Sequence, residues 1–312
     1  MANTTDEVQF ILRGFGKLYN PFPTFSIFLI IYIVTLCGNL LIIALVSTYH
    51  QLHTPMYLFV AHLSICDIVF TTNIIPTMLK IILKGMYKIS MPRCIFQYYV
   101  YSLSTAAECL ILTAMSYDRY LAITKPLHYT SIMNLSVCLQ LVGSCWLTGA
   151  LSTLIMVFMI FLRPFCEPNV IDHFICDVAP LLKLSCSDTF AVEVAIFLFC
   201  IPLLVTPFMF LVVTYVCIFI TIGRIRSSNG RKKTFSTCSS HLTSVCTYFG
   251  TLMTVYMDPN RGHSTINKIL FLLYTVVTPL FNPIIYSIKN QEIKKIIAMV
   301  FSTIRSYFKC KN

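Results

Sequence analysis

Charged side chains are scarce in this sequence. Asp, Glu, Lys and Arg make up 11% of the 312 residues, whereas 57% are hydrophobic and the mean hydropathy is +0.77. Soluble domains carry about 25% charged residues, so there are too few charges here to cover a surface that faces water. The composition therefore excludes a soluble enzyme or binding module and indicates a polytopic membrane protein.

Other patterns are missing as well. There is no H-E-x-x-H motif, and no soluble domain, low-complexity linker or strong internal repeat. The net charge of +11 is not a nucleic-acid footprint, because the Lys and Arg residues form no stripe interleaved with base-stacking aromatics. The first twenty residues lack an apolar h-region. We therefore expect no cleavable signal peptide and expect the first span to act as the insertion signal.

Seven apolar segments dominate what the sequence does contain. They are Phe22–Val46, Met56–Leu79, Ile95–Ile123, Cys138–Leu162, Val192–Ile222, Cys238–Met257 and Lys268–Ile288. Each is long enough to cross a hydrocarbon core of about 30 Å as a helix. Helices are required because the bilayer core offers the backbone no water. The predicted fold class is an all-α membrane protein, a seven-transmembrane helix bundle.

The basic residues predict the orientation of the bundle. Two basic clusters, one between segments five and six and one after segment seven, belong in the cytosol by the positive-inside rule, so the N-terminus lies outside. Their members are Arg224, Arg226, Arg231, Lys232, Lys233, Lys289, Lys294, Lys295, Arg305, Lys309 and Lys311. One outer connection disagrees, since it holds four basic residues: Lys80, Lys84, Lys88 and Arg93. A glycosylation sequon at Asn3 agrees with an outer tail.

Three regions follow from these assignments. Residues 1–21 form an extracellular tail, residues 22–288 the seven-helix domain, and residues 289–312 a cytoplasmic helix and tail. The last region separates apolar from basic residues on a helical wheel, which predicts an amphipathic helix lying on the inner leaflet. The apolar face carries Ile293, Ile296, Ile297 and Val300, and the basic face Lys294 and Lys295. Cys310 is a candidate for palmitoylation.

An acid and a base stand side by side near the end of the third segment. They are Asp118 and Arg119, in the stretch MSYDRYLAITKPLHY. Cys94 precedes Arg119 by 25 residues, or about 37 Å of helix, so Cys94 begins at the outer face and the pair lies at the cytoplasmic mouth. There the two side chains can form a charge-assisted hydrogen-bonded pair. The alternative is an interfacial Arg that snorkels beside an acid.

Five motifs run in order along nearly the whole chain. They are GN at 38–39, LHTPMYLFVAHLSICD at 52–67, MSYDRYLAITKPLHY at 115–129, KTFSTCSSHLTSV at 233–245 and PLFNPIIYSIKN at 279–290. Together they resemble the rhodopsin-like (class A) G-protein-coupled receptors and, more closely, the olfactory (odorant) receptors. The stretch SSHLTSVCTYFGT is similar to the tetrapod-type (class II) branch. Thr124 and Thr77 depart from the usual Cys and Lys of the family but leave the charged pair intact.

The resemblance implies a function. It implies an odorant receptor of the plasma membrane, not an enzyme, that binds a small volatile in the outer half of the bundle. It also implies activation of a heterotrimeric G protein of the stimulatory (olfactory) type, a rise in cyclic AMP, and no required cofactor. The third partner implied is the membrane lipid around the bundle. The residues it assigns to coupling and switching are Asp118, Arg119, Tyr120, Tyr215, Asn282, Pro283 and Tyr286.

Two carboxylates lie deep within predicted spans. Asp67 is in the middle of the second segment, and Glu108 lies between Cys94 and Arg119 at a similar depth. Two ionised acids facing each other in lipid would be costly, so they must bind protons or share a cation. The resemblance implies an allosteric sodium ion, with Asn39 and Asn282 nearby. A protonated, hydrogen-bonded pair without an ion is the alternative.

Four cysteines fall on the predicted oxidising side. They are Cys94, Cys166, Cys176 and Cys186, and four cysteines allow three pairings. The resemblance implies the pairs Cys94–Cys176 and Cys166–Cys186. A rival interpretation uses His173 and Cys176 in a copper or zinc site, which would need a free thiolate at Cys176.

The ligand site is expected in the outer halves of segments three, five and six, where an apolar cavity with a few polar groups would form. Helical spacing and matched depth select Tyr101, Ser102, Thr105, Ala106, Phe199, Leu203, Phe249, Leu252, Met253, Tyr256 and Thr275. For each residue the alternative is packing in the bundle core. No acid is expected in this region, which disfavours a charged amine and favours a mostly neutral ligand.

Two other function classes compete with the receptor. A polytopic enzyme would need a positioned nucleophile and base or a metal. A transporter or channel could use Asp67 and Glu108 for ion coupling, but inverted repeats with broken paired helices would be expected, and neither is visible.

Overall fold

The computed structural model describes residues 9–16, 18–256, 265–290, 292–300 and 302. Helices make up most of them. In chain order they are α1 (Pro21–Thr48), α2 (Pro55–Lys84), α3 (Met91–Thr124), the short α4 (Tyr129–Ile132), α5 (Leu135–Phe161), the short α6 (Val178–Lys183), α7 (Phe190–Arg224), α8 (Ser228–Tyr256), α9 (Thr265–Leu272) and α10 (Thr278–Lys289). A π-helical turn, Leu273–Val277, joins α9 and α10 into one continuous helix.

The seven apolar segments correspond to these long helices, the seventh to α9, the π turn and α10 together. Most helices run past the apolar segment into polar sequence. For example, α8 begins at Ser228, well before Cys238, because a nucleated helix extends cheaply into residues that water can solvate. At the segment ends, Leu162 caps α5 from outside the helix and Met257 lies outside the described residues.

Five stretches of the described residues are long and apolar enough to cross a membrane. They are Pro21–Thr48, Pro55–Lys84, Leu135–Phe161, Phe190–Arg224 and Lys268–Ser287. Two long helices, α3 and α8, are not among them, since α3 carries Glu108, Asp118 and Arg119 and α8 is rich in Ser and Thr. By composition and length alone the described chain thus supports a helical membrane protein of several spans.

Local sequence explains where several helices begin and end. Asn134 Oδ1 accepts a hydrogen bond from the Val137 amide at 3.0 Å and caps the start of α5. Pro55 occupies the first turn of α2, where its missing N–H has no helical partner to lose. The same helix stops at Gly85, which has a φ of 77° and so adopts the left-handed conformation that favours glycine at a helix end.

Small residues let helices approach closely at two places. A Cβ atom at Gly38 in α1 would lie 3.1 Å from the ring of Pro283 in α10. A Cβ atom at Gly149 in α5 would lie 3.2 Å from the backbone oxygen of Leu103 in α3. Both contacts are tighter than ordinary packing, so both helix pairs depend on the missing side chain.

A small sheet covers one end of the bundle, which we call the sheet end. The strands are β1 (Gln9–Leu12), β2 (Tyr87–Ser90) and β3 (Val170–Ile171). β1 pairs antiparallel with β2 and parallel with β3, giving the order β2-β1-β3. Phe10 and Leu12 of β1 are fully buried. The N-terminal segment, expected only as a tail, is therefore packed between two loops.

The C-terminal segment is helical over residues 292–300. Its basic residues are exposed as expected, but Ile293 and Ile296 are buried in the main core and pack against the bundle. The apolar face therefore has a protein partner in addition to any lipid surface. Asn3 and Cys310 lie outside the described residues.

Substitution of Gly149 should separate α5 from α3. We expect Gly149→Val to lower the free energy of unfolding by about 1–3 kcal/mol, because the added side chain meets backbone that cannot move aside. Gly143→Val on the same helix is the matched control, since a Cβ there meets nothing within 4 Å. Thermal unfolding of the purified protein in detergent measures both, and equal losses in the two variants would contradict the prediction.

Candidate functional site

A cavity of about 1380 Å³ lies between α3, α5, α7 and α8, toward the sheet end. Its floor and walls are mostly apolar and aromatic, with a few hydroxyl groups. Residues of α6 and the segment just before it form the rim, including Asp177 and Lys183. Pockets of this kind, apolar with a few polar groups, suit small organic ligands.

Most of the candidate ligand residues line this cavity. Those that do are Tyr101, Ser102, Thr105, Ala106, Phe199, Leu203, Leu252 and Met253. Phe249 and Thr275 are buried but are not part of the lining. The ring of Phe249 packs against Phe208, at a centroid distance of 5.4 Å, and Thr275 lies in the π turn. The side chain of Tyr256 is outside the described part of the chain.

The sequence interpretation missed part of the wall. Tyr248 lines the cavity, and its hydroxyl donates to the Thr105 carbonyl at 2.7 Å. Tyr274 donates to the Thr105 hydroxyl at 3.0 Å, so α3 is joined to both α8 and the π turn at this residue. Helix α5 contributes Thr153 and Met156. Their spacing of three residues in an apolar helix indicates one shared face but does not distinguish a cavity wall from core packing.

The expectation that no acid lies in this region is wrong. Asp177 and Glu193 both line the cavity. Asp177 comes from the long loop, outside spans three, five and six, whereas Glu193 lies in the first turn of α7, at the outer end of the fifth segment. Lys183 lies at the same rim, and Thr189 donates to Glu193 at 2.7 Å. The charges are therefore at the mouth, while the deeper wall remains uncharged.

Two disulfides hold the loop over the cavity. Cys94 is bonded to Cys176 and Cys166 to Cys186, with Cα–Cα distances of 5.6 and 5.4 Å. The first joins the loop to the start of α3, where Gln97 Oε1 also accepts the Cys176 amide at 3.0 Å. Because the Cys176 sulfur is bonded to Cys94, the thiolate that a copper or zinc site with His173 would need is not available here.

His173 is buried beneath the sheet. Its ring packs edge-on against Phe271, with the centroids 4.7 Å apart. Burial and the nearby Lys268 ammonium lower the pKa of His173 to about 3, and Asp172 opposes the shift only in part. The imidazole is therefore neutral near pH 7.

Asp67 and Asn282 are in direct contact in the middle of the bundle. Asn282 Nδ2 donates to the two carboxylate oxygens of Asp67 at 3.3 and 3.0 Å. Glu108 is buried beside them and also interacts with Asn282, and its Oε1 has no hydrogen-bond partner among the described residues. Asn39 Nδ2 donates to the Pro279 carbonyl at 3.1 Å and ties α1 to α10. A buried carboxylate oxygen that lacks a donor, as Glu108 Oε1 does, fits a hard cation such as sodium.

The acid–base pair lies at the end of the bundle opposite the sheet. Arg119 Nε is 3.5 Å from Asp118 Oδ2, which makes an ion contact and not a hydrogen bond. The hydrogen bond to Asp118 comes instead from the Tyr129 hydroxyl, at 2.8 Å. Burial and the adjacent carboxylate raise the pKa of Tyr129, so the phenol keeps the proton that it donates. Met56 Sδ lies 3.3 Å from Arg119 Nε on the other side.

Tyr215 joins three helices near this pair. Its hydroxyl lies 2.7 Å from His241 Nδ1, and His241 Nε2 lies 3.1 Å from the Leu112 carbonyl. A carbonyl only accepts, so Nε2 carries a proton, and in the neutral imidazole Tyr215 donates to Nδ1. One histidine thereby links α7, α8 and α3.

The remaining switch candidates lie along α10 and at the end of α3. Pro283 is buried against Gly38, and Tyr286 is buried close to Ser244 of α8. Tyr120 is half-buried beside the acid–base pair. The residues expected to switch therefore form contacts between α10, α1 and α8.

A family model described as "Olfactory receptor" matches residues 28–303. Olfactory receptor 10J4 of Homo sapiens is 40% identical over 288 residues, which cover 92% of this chain and 93% of that protein. Olfactory receptor 10P22 of Mus musculus is 43% identical over 293 residues, covering 93% and 94%. Olfactory receptor 10C1 of Homo sapiens is 43% identical over 295 residues, covering 94% and 95%.

The buried imidazole should make stability depend on pH. The unfolded His173 binds a proton below pH 6.5, whereas the folded one stays neutral down to about pH 3, so stability is lost as the pH falls through this window. Between pH 7.5 and 5.0 the loss should be about 2 kcal/mol. His173→Phe should remove this part of the loss, and the exposed His128→Phe should not. Thermal unfolding at both pH values tests this, and an unchanged pH dependence in His173→Phe would refute it.

Proposed function

The chain belongs to the olfactory receptor family, and from this premise we propose that it binds a small, mostly neutral odorant in the cavity between α3, α5, α7 and α8. We further propose that binding activates a heterotrimeric G protein of the stimulatory type and raises cyclic AMP. The family places the chain among multi-pass proteins of the plasma membrane that carry out no catalysis on their ligands. Membership of this family therefore argues against an enzymatic role, and no observation favours a transporter over a receptor.

The proposal includes an orientation of the helix bundle in the membrane. The sheet end, with both disulfides, faces the oxidising exterior, and the Arg119 end faces the cytosol with most of the basic residues. Residues 1–21 are then an outer segment, residues 22–288 form seven spans, and residues 289–312 are cytoplasmic. The five stretches that meet the length and hydropathy criterion support five spans. Helices α3 and α8 complete the seven, because their polar side chains find partners on neighbouring helices, as Tyr248 and His241 of α8 do on α3.

One observation carries the proposal. The cavity lies at the sheet end of α3, and the acid–base pair lies at the other end of the same helix. A ligand that contacts Ser102 or Thr105 therefore contacts α3, the same helix that carries Asp118 and Arg119. A receptor needs this arrangement, with two distinct sites joined by an element that both can bias.

In the resting state, contacts between helices hold the cytosolic end closed. Asp118 is held by Tyr129, and Arg119 lies against Asp118 and Met56. We propose that odorant binding favours a state in which α8 moves relative to α3, at the Tyr215–His241 contact. Arg119 is then free to meet the C-terminal segment of the G protein. The odorant can drive this only as far as its affinities for the two states differ.

The deep carboxylates are proposed to hold a sodium ion. Asp67 and Glu108 would supply charged oxygens, with Asn282 beside them and Asn39 at the edge of the site. The donor set supports this, because the Glu108 Oε1 atom is buried without a hydrogen-bond donor among the described residues. A bound cation would stabilise the arrangement of α2, α3 and α10 described here.

Removal of the Arg119 side chain should separate ligand binding from signalling. We expect Arg119→Ala to reach the cell surface at the wild-type level but to lose the cyclic AMP response, because the proposed G-protein contact is gone. The measurement is cyclic AMP in cells expressing an olfactory-type G protein and challenged with an odorant mixture, with surface receptor counted in the same cells. Arg226→Ala, an exposed arginine at the same end, should keep the response. A response that survived Arg119→Ala would contradict the mechanism.

The sodium proposal predicts a specific salt effect. At equal ionic strength, sodium chloride should raise the unfolding temperature of the wild type by a few degrees relative to choline chloride, since a ligand that binds only the folded state stabilises it. Glu108→Gln should abolish the difference while remaining folded, because Gln keeps the shape but not the charge. Identical midpoints in the two salts for the wild type would refute a sodium site.

A further inference from the structure

Two hydroxyl groups in the wall of the cavity differ from the others. Among the described residues, the serine and threonine side chains that line the cavity are Ser102, Thr105, Ser152, Thr153 and Thr189. Three of them are satisfied: Thr105 and Ser152 donate to a carbonyl about one turn back in their own helices, and Thr189 donates to Glu193. The hydroxyls of Ser102 and Thr153 form no hydrogen bond with any other described residue. Their two protons are therefore available to a ligand.

These two hydroxyls lie at a similar depth on neighbouring helices. Two contacts set the register of α5 on α3. At one, Gly149 of α5 lies against the α3 backbone directly after Ser102. At the other, nearer the sheet end, the rings of Phe161 and Tyr98 pack with their centroids 6.2 Å apart. Thr153 lies one turn from Gly149 in the direction of Phe161, and Ser102 lies between the same two contacts on α3. Both side chains therefore reach the cavity from about the same level.

Two hydroxyl donors that line one cavity at the same level suit a carbonyl oxygen. Such an oxygen has two lone pairs and can accept both protons, and unlike an alcohol it brings no proton of its own that would need an acceptor. A hydrocarbon in the same place would exclude water from both hydroxyls and would leave them without an acceptor. A donor that loses its acceptor on ligand binding costs free energy, so the wall favours a carbonyl compound over a hydrocarbon of the same shape.

We propose that Ser102 and Thr153 form a carbonyl subsite, and that the ligands of this chain are ketones, aldehydes or esters whose carbonyl oxygen accepts from both hydroxyls. The inference rests on the proposed use of this cavity as the odorant site, and it narrows the class of ligand. It also adds Thr153 of α5 as a specificity-determining residue. The alkyl part of the ligand contacts the apolar side chains around the subsite, away from the charged rim at Asp177 and Glu193.

Matched pairs of ligands test the subsite directly. The probes are a series of straight-chain methyl ketones, each paired with the alkene in which a methylene group replaces the carbonyl oxygen. The two members of a pair have nearly the same shape, but only the ketone can accept a hydrogen bond. Binding is measured as the rise in the unfolding temperature of the purified protein with increasing ligand concentration, since a ligand of the folded state stabilises it. We expect each ketone that binds to do so at least about fivefold more tightly than its alkene.

Variants of the two hydroxyls should weaken ketone binding and leave alkene binding unchanged. We expect Thr153→Val and Ser102→Ala each to weaken ketone binding about fivefold, the effect of one lost hydrogen bond. Thr153→Ser keeps the hydroxyl and should bind ketones nearly as the wild type does. The matched control is Ser152→Ala, because Ser152 also lines the cavity but its hydroxyl already donates to the Gly149 carbonyl. This control should leave the affinities of both ligands unchanged.

Several results would overturn the proposal. They are equal binding of ketone and alkene by the wild type, wild-type ketone affinity in both Thr153→Val and Ser102→Ala, and the absence of any stabilisation by the ketones up to their solubility limits. A variant that fails to fold is recognised by its lack of an unfolding transition, and the other variant then decides. The assay uses no G protein. Ketone binding that depends on both hydroxyls but gives no cyclic AMP response would therefore support the subsite and count against the signalling function.

Discussion

The bilayer core offers no hydrogen-bond partners, and this constraint shapes the whole molecule. Backbone groups are satisfied within helices, and hydroxyl groups follow the same rule. Thr71 donates to the Asp67 carbonyl one turn back, and Thr113 does the same with Cys109. Several polar groups are instead satisfied between helices, as with Asn282 on Asp67. Each of these contacts therefore both satisfies a buried group and fixes how two helices sit together.

The constraint also explains why the functional parts lie along α3. This helix carries cavity-lining side chains near the sheet end, Glu108 in the middle and Asp118 with Arg119 at the far end. Such a polar helix is expensive beside lipid, and at the centre of the bundle its side chains have partners on several helices. Gly149 allows α5 to lie directly on its backbone. A helix that is packed this closely can transmit a displacement from one of its ends to the other.

Much of the fold could be predicted from the sequence because long apolar runs are a strong local signal. The small sheet could not, since β1 has only four residues and its partners β2 and β3 are distant in the chain. The cavity wall was predicted in part on α3, α7 and α8, where helical spacing applies. It was missed on α5, where the spacing does not distinguish a cavity wall from core packing, and where a loop contributes, as at Asp177. The resemblance located Asp118 and Arg119 but could not show that Tyr129 supplies the hydrogen bond, because a neighbour across a turn leaves no periodic pattern.

The residues that select the ligand are different in kind from the charged residues proposed to act in signalling. The deep wall of the cavity is uncharged, so its selectivity depends on shape and on a few hydroxyl groups such as that of Ser102, and many different side chains could serve. The charged groups below it have specific partners and tolerate few replacements, because a buried charge without a partner is costly. Substitutions in the wall can thus change which odorant binds without disturbing the contacts that hold the bundle.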